Sequence, residues 1–175
     1  MNKQLIINSL EANFIVDRLA SQIFELNFFH ENLKILSIQP RGFLFATVLL
    51  QRLKEKFNVE KVLGVIDPSF YRDDFSQGSK IIIPNESNVD FEIQNQPVLL
   101  IDDIIFTGRT TRAAMNALQD YGRPSWIKIL VLVNRHLERE VPTKVDFEGI
   151  KIDSKYEQQI QVNYMNQKDI EVKFV

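Results

Sequence analysis

The feature that most constrains this chain lies between residues 97 and 133. Residues 97–101 are continuously apolar, 102–110 form a polar turn, 111–121 carry a helical pattern, and 126–133 are predominantly apolar again. In the helical stretch Ala114, Ala117, Leu118 and Tyr121 recur at i, i+3, i+4 and i+7, and Gly122 with Pro124 ends the run. Strand, turn, helix and strand at this spacing make a βαβ unit. Strands apolar on both faces need helices on both sides, so the unit predicts a parallel sheet in an α/β fold.

The flanking sequence extends the same plan. Residues 9–26 repeat apolar side chains at helical spacing (Leu10, Phe14, Ile15, Leu19, Ile23, Leu26) behind a cap at Asn8 or Ser9. Lys34–Ile38 reads as a buried strand, Gln39-Pro40-Arg41-Gly42 as a break, and the stretch to Phe57 as a second helix. A strand at 61–66 precedes a polar loop over 67–78 that has no periodicity, then an edge strand at 80–83 and a polar connection over 84–90. Short strands are predicted near 145–147, 160–164 and 172–174. At 175 residues this is one domain, 1–175, large enough to bury a core unaided.

Composition narrows the chemistry. Cys is absent, which excludes disulfides, thiolate metal centres and a thiol nucleophile, and fits a reducing, cytoplasmic setting. The histidines are His30 and His136, too few for a metal cluster by themselves. A net charge of −2 gives no overall basic field for nucleic acid, although a local basic patch stays open. No apolar run approaches the roughly 20 residues of a membrane span. Trp126 and the phenylalanines fall in apolar runs and read as core packing.

In open parallel sheets ligands bind beyond the carboxyl ends of the strands, which places the turn Asp102-Asp103-Ile104-Ile105-Phe106-Thr107-Gly108-Arg109-Thr110 where chemistry is expected. Thr107 to Thr110 immediately precede a helix, whose N–H groups and dipole favour an anion. The glycine lets backbone approach closely, and the hydroxyls donate to phosphate oxygens. This is a monophosphate cradle, and neither the Walker A nor the Gly-x-Gly-x-x-Gly pattern occurs. Asp102 and Asp103 can accept from vicinal hydroxyls and hold a hydrated Mg²⁺ indirectly, so a ribose 5-phosphate satisfies both halves. Either half alone also fits an exposed turn with Thr110 as a helix cap.

The run from Val98 to Thr110 closely resembles the phosphoribosyl pyrophosphate (PRPP) motif of type I phosphoribosyltransferases. With residues 110–118, Tyr121-Gly122-Arg123-Pro124-Ser125, and Asp67 followed by Tyr71-Arg72-Asp73-Asp74, it resembles the pyrimidine operon attenuator and uracil phosphoribosyltransferase family. The resemblance implies a single-domain fold with a mostly parallel central sheet, flanking helices and a small C-terminal hood. It implies Mg²⁺-dependent transfer of phosphoribose from PRPP to uracil or a related nucleobase, for pyrimidine salvage. The alternatives are a uridine-nucleotide-sensing, RNA-binding attenuator, with or without catalysis, and a transferase for another base or none.

By the same resemblance Asp102 and Asp103 hold ribose, and residues 104–110 (Ile104, Ile105, Phe106, Thr107, Gly108, Arg109, Thr110) hold the 5-phosphate. Pro40, Arg41 and Gly42 bind pyrophosphate, and Tyr71, Arg72, Asp73 and Asp74 belong to a flexible loop whose Arg72 neutralises pyrophosphate. Asn134 and Arg135 meet the base, and the metal is held through PRPP rather than by direct protein ligands. Three departures stand out: Gln39-Pro40 replaces the usual Lys-Thr, a change compatible with a cis peptide bond; Asn134-Arg135-His136 replaces Asp-Arg-Gly; and Phe106 replaces the usual Tyr. Purine enzymes carry an acid at the Phe106 position, which argues against a purine substrate. A homodimer or larger homo-oligomer is expected.

Overall fold

The computed structural model describes residues 4–29, 32–73, 86–137, 139–153, 158–165 and 169–175. Its central sheet is parallel, with β3 (Leu63–Ile66), β2 (Lys34–Ile38), β4 (Pro97–Ile105), β5 (Trp126–Arg135) and β6 (Phe147–Ile152) side by side in that order. A second, antiparallel sheet sets β8 (Ile170–Phe174) between β1 (Leu5–Ile7) and β7 (Ile160–Tyr164). The helices are α1 (Ser9–Phe29), α2 (Arg41–Phe57) and α3 (Arg109–Leu118). This is the α/β architecture expected, and the smaller sheet is its hood. The expected edge strand at 80–83, like His30 and Asp74, lies outside the described residues.

Period-two alternation along β4 explains why both faces are apolar. Leu99 and Ile101 pack into the cluster with Ile35 and Leu130 under α1 and α2, while Val98 and Leu100 meet Ala114, Ala117 and Leu118 of α3. Asn8 caps α1 by a reciprocal box: Glu11 N–H donates to Asn8 Oδ1 (3.0 Å) and Asn8 N–H to Glu11 Oε2 (2.9 Å). The buried stripe of α1 is Ala12, Val16, Leu19, Ala20, Ile23 and Leu26, which corrects the expected face at its start. Leu10 and Phe14 lie outside this stripe and stay 67% and 68% exposed. Tyr121 likewise leaves the α3 face, because the helix tightens into a 3₁₀ turn over Gln119–Tyr121.

The main correction concerns the turn. Strand β4 runs through the acidic pair to Ile105, with Asp102 opposite Val131 and Ile105 opposite Asn134 on β5. The polar turn is therefore Phe106 to Gly108, and α3 starts at Arg109 rather than 111. Charge at Asp102 and Asp103 suggested loop; ladder pairing with β5 alongside made it strand. Trp126 is half-buried against the core, as expected of a packing residue.

Candidate active site

Side chains converge at the carboxyl end of the parallel sheet. Gly108 sits at φ +86°, where a side chain is strained, and an added Cβ would lie 2.9 Å from Thr143 Oγ1 and 3.0 Å from the Val141 carbonyl. Glycine thus lets residues 139–143 close tightly behind the turn. Glu140 and Val141 N–H both donate to the Thr107 carbonyl (3.0 Å each). In front, a cavity of about 220 Å³ is lined by residues that include Asp102, Thr107, Gly108, Thr110, Thr111 and Arg72. It is the right scale for a phosphate and part of a sugar. A larger cleft of about 880 Å³ lies near the amino ends of β4 and β5, beside Met115, Arg123 and Trp126, and has no carboxylate in its lining.

Asp102 and Asp103 are 8% and 5% exposed. Asp103 N–H donates to Asp102 Oδ1 (2.9 Å), and Ile104 N–H to Asp103 Oδ1 (2.8 Å). Burial pushes the Asp102 carboxyl well above the ordinary range, and the Asp103 charge pushes it further. Burial also raises Asp103, but the Ile104 N–H and the Arg41 guanidinium pull the other way. Gly42 permits that proximity, since a Cβ there would lie 2.8 Å from the Ile101 carbonyl and 3.1 Å from Asp102 Oδ1. The Gln39–Pro40 peptide bond is cis, as the sequence allowed.

Asp103 Oδ2 is buried without a hydrogen-bond partner, and so is the hydroxyl of Tyr164 at the end of β7. Burial first, then the Asp103 and Asp102 charges, raise the Tyr164 pKa, so its hydroxyl stays a neutral donor. The sequence reading missed Tyr164; its only signal was an aromatic at the end of a short strand. An unpartnered carboxylate oxygen fits a role in which substrate hydroxyls or metal-bound waters supply the donor. No group of three or more His, Asp or Glu suited to an ion exists among the described residues.

The segment before residue 74 is fastened to α3. Asp67 Oδ1 accepts from Ser69 N–H (2.8 Å), and the Tyr71 hydroxyl donates to Asp120. Arg72 Nη1 donates to Thr110 Oγ1 (2.8 Å), while Asp73 Oδ2 pairs with Arg109 (2.7 Å) and Arg112 (2.6 Å). Arg109 also meets Glu140 at 2.5 Å, so its guanidinium is engaged on both sides. Arg72 and Thr110, far apart in sequence, thus meet in one pocket.

At the end of β5 Arg135 is 6% exposed and its guanidinium lies 3.8 Å from the Phe106 ring centroid. Asn134 Nδ2 donates to Glu148 Oε2 (2.6 Å), and Arg139 bridges the Phe106 carbonyl and Asn134 Oδ1, both at 2.7 Å. Sequence reading named Asn134 and Arg135 but missed Arg139 and Glu148, which no motif marks. His136 is removed from this network and places Nδ1 2.6 Å from Asp153 Oδ1.

Residues 6–167 match the phosphoribosyl transferase domain family. The chain belongs to that family. Within it the chain is 40% identical over 147 residues to the bifunctional protein PyrR of Deinococcus radiodurans, covering 84% of this chain and 80% of the relative. It is 38% identical over 171 residues to the bifunctional protein PyrR of Ligilactobacillus salivarius, covering 97% and 94%. These levels place it in the PyrR branch, and it is a phosphoribosyltransferase. Its fold superimposes on hypoxanthine phosphoribosyltransferase from Trypanosoma cruzi, in complex with the product IMP, with a TM-score of 0.72 at 19% identity, covering 97% and 92%. At that identity the likeness shows the fold alone. No described helix is long and apolar enough to cross a membrane.

Proposed function

We propose that this phosphoribosyltransferase moves the 5-phosphoribosyl group of PRPP to uracil. The bond from ribose C1 to the pyrophosphate oxygen breaks, a bond from C1 to uracil N1 forms, and N1 loses its proton. The products are uridine monophosphate and pyrophosphate. The observation that carries this reading is the buried acidic pair beside the Thr107-Gly108-Arg109-Thr110 turn, in a chain of the PyrR branch. Positive charge develops on ribose as the leaving group departs, so no covalent nucleophile is needed. Thr107 and Thr110 anchor the phosphate, Asp102 and Asp103 orient the ribose hydroxyls, and Arg41 stabilises the departing pyrophosphate. Mg²⁺ bound through PRPP supplies further charge neutralisation on the pyrophosphate oxygens. Phe106, which can neither donate nor accept, leaves a purine N7 without a partner, while Arg135 and Asn134 line the pyrimidine side.

Pyrophosphate release from PRPP with Mg²⁺ tests this reading, comparing uracil with hypoxanthine, guanine, adenine and orotate. Turnover with uracil alone is expected; turnover with a purine and none with uracil would overturn it.

A second activity is favoured by the relatives' description as bifunctional. We infer that uridine monophosphate in this site controls binding to the leader RNA of pyrimidine genes. Lys151 and Lys144, the latter 3.5 Å from Asp146 Oδ1, are exposed cations outside the buried site despite the net −2. The expected observation is a salt-dependent mobility shift of such an RNA that increases with uridine monophosphate. No shift at low salt would remove this reading. Self-association is supported by the exposed Leu10 and Phe14 on α1, and sedimentation measures it.

A further inference from the structure

The turn that opens the site is tethered from outside itself. The β4–β5 ladder ends with Ile105 opposite Asn134, so Phe106 is the first residue beyond the paired stretch. Its carbonyl accepts from Arg139 Nη1 at 2.7 Å, its ring centroid lies 3.8 Å from the Arg135 guanidinium, and it forms part of the cavity wall. Holding Phe106 therefore holds that wall.

The tether runs on to a carboxylate that is not part of the cavity lining. Arg139 Nη2 donates to Asn134 Oδ1 at 2.7 Å, and Asn134 Nδ2 donates to Glu148 Oε2, on β6, at 2.6 Å. A guanidinium can only donate and a carboxylate can only accept, so the two ends dictate which way the amide between them faces. Carboxylate, amide, guanidinium and carbonyl are thereby aligned in one direction, an arrangement in which each bond polarises the next. The Phe106 carbonyl and the Asn134 amide are neutral acceptors, so Glu148 is the carboxylate this relay brings to Arg139. Glu148 is itself fixed at its backbone: Arg18 Nη2, reaching across from α1, donates to the carbonyls of Glu148 (3.2 Å) and Gly149 (2.6 Å).

We infer that Glu148 is a positioning residue for the proposed base end of the site: it orients the Asn134 amide, which orients Arg139, which fixes the Phe106 carbonyl. This rests on the phosphoribosyl reading of the site and extends it to a side chain on β6 that substrate does not touch. Asn134 serves the base through this relay, its oxygen occupied by Arg139 and one amide hydrogen by Glu148. The consequence is a pairing rule between β5 and β6. An amide at position 134 needs an acceptor at 148, and a carboxylate at 134 needs a donor there.

Calorimetric titration of uridine monophosphate beside ribose 5-phosphate isolates the base end, because the two share the phosphoribosyl group and differ in uracil. The unaltered protein is compared with Glu148→Met, Glu148→Gln, Asn134→Asp and the double variant Asn134→Asp with Glu148→Gln, with circular dichroism confirming the fold. Glu148→Met should weaken uridine monophosphate binding about tenfold and leave ribose 5-phosphate within about twofold. Glu148→Gln, whose amide oxygen can still accept, should keep most of the affinity. Asn134→Asp should also lose about tenfold, since two carboxylates would face each other where Asn134 now donates to Glu148, and adding Glu148→Gln should restore binding by supplying a donor. Unchanged uridine monophosphate affinity in Glu148→Met, equal loss of both compounds, or a double variant no better than Asn134→Asp alone overturns the inference. If the unaltered protein binds neither compound, the phosphoribosyl reading itself fails; if it binds both equally, the uracil assignment fails. The role of Glu148 falls with either.

Discussion

The proposed phosphate end and the proposed base end of the site are built by different means. At the proposed phosphate end the turn itself is local, with Asp103 N–H to Asp102, Ile104 N–H to Asp103 and Gly108 in the left-handed region before α3, and Arg72 and residues 140–141 brace it from afar. At the proposed base end contacts join distant segments, with Arg139 reaching back to Phe106 and Glu148 crossing from β6 to Asn134. A local device survives changes elsewhere in the chain. A long-range network depends on every segment it joins, and the Asn134-Arg135-His136 departure falls there. Function at the two ends should therefore be separable by substitution.

The largest effect is expected where the two ends meet. Asp102→Asn with Asp103→Asn should lower turnover about 10²- to 10³-fold, because both ribose contacts lose their charge where positive charge develops. Wild-type turnover at saturating PRPP would remove these residues from the mechanism. Gly108→Ala should come next, costing about 1–3 kcal/mol through the strained φ, with Thr143 and Val141 also crowding the new Cβ. Its signature is a lowered melting temperature and weaker ribose 5-phosphate binding. An unchanged melting temperature would mean that the turn relaxes freely and is not the rigid partner in the comparison.

Arg139→Met probes the other end. It removes donors to the Phe106 carbonyl and Asn134 Oδ1 while keeping much of the side-chain volume. The KM for the base should rise about tenfold, with the KM for PRPP within about twofold. Equal rises in both would show that Arg139 supports the whole turn, and the proposed separation would break. That outcome is physically open to test because residues 140 and 141 also donate to Thr107.

The same division explains what was legible in sequence. The β4–α3 unit could be read because a continuous apolar run, a glycine and hydroxyls before a helix are local signals. The length of β4 was missed because Asp102 and Asp103 look like loop residues until β5 pairs alongside them. Leu10 and Phe14 were misplaced because a helix of mixed polarity offers more than one apolar stripe, and only packing against the sheet selects between them. Arg139, Glu148 and Tyr164 belong to no motif. Their roles arise from the closing of segments that are 14 or more residues apart or lie in different sheets.

The smallest effect sharpens the comparison through stability rather than rate. Asp102 ionises with difficulty because it is buried beside Asp103, so its folded pKa exceeds the unfolded value of about 3.9. The folded protein then binds more protons than the unfolded chain, and stability falls as pH rises from that value through the folded pKa. Asp102→Asn keeps an oxygen to accept the Asp103 N–H but cannot ionise, so it should escape this cost. At pH 7 the variant should be more stable, read as a higher melting temperature than that of the unaltered protein. The gain should shrink toward pH 3, where both forms are neutral. Arg139→Met should show no such pH-dependent gain, since it relieves no buried carboxyl. A stability increase for Asp102→Asn that persists unchanged at pH 3 would trace to packing rather than to the cost of ionising a buried carboxyl.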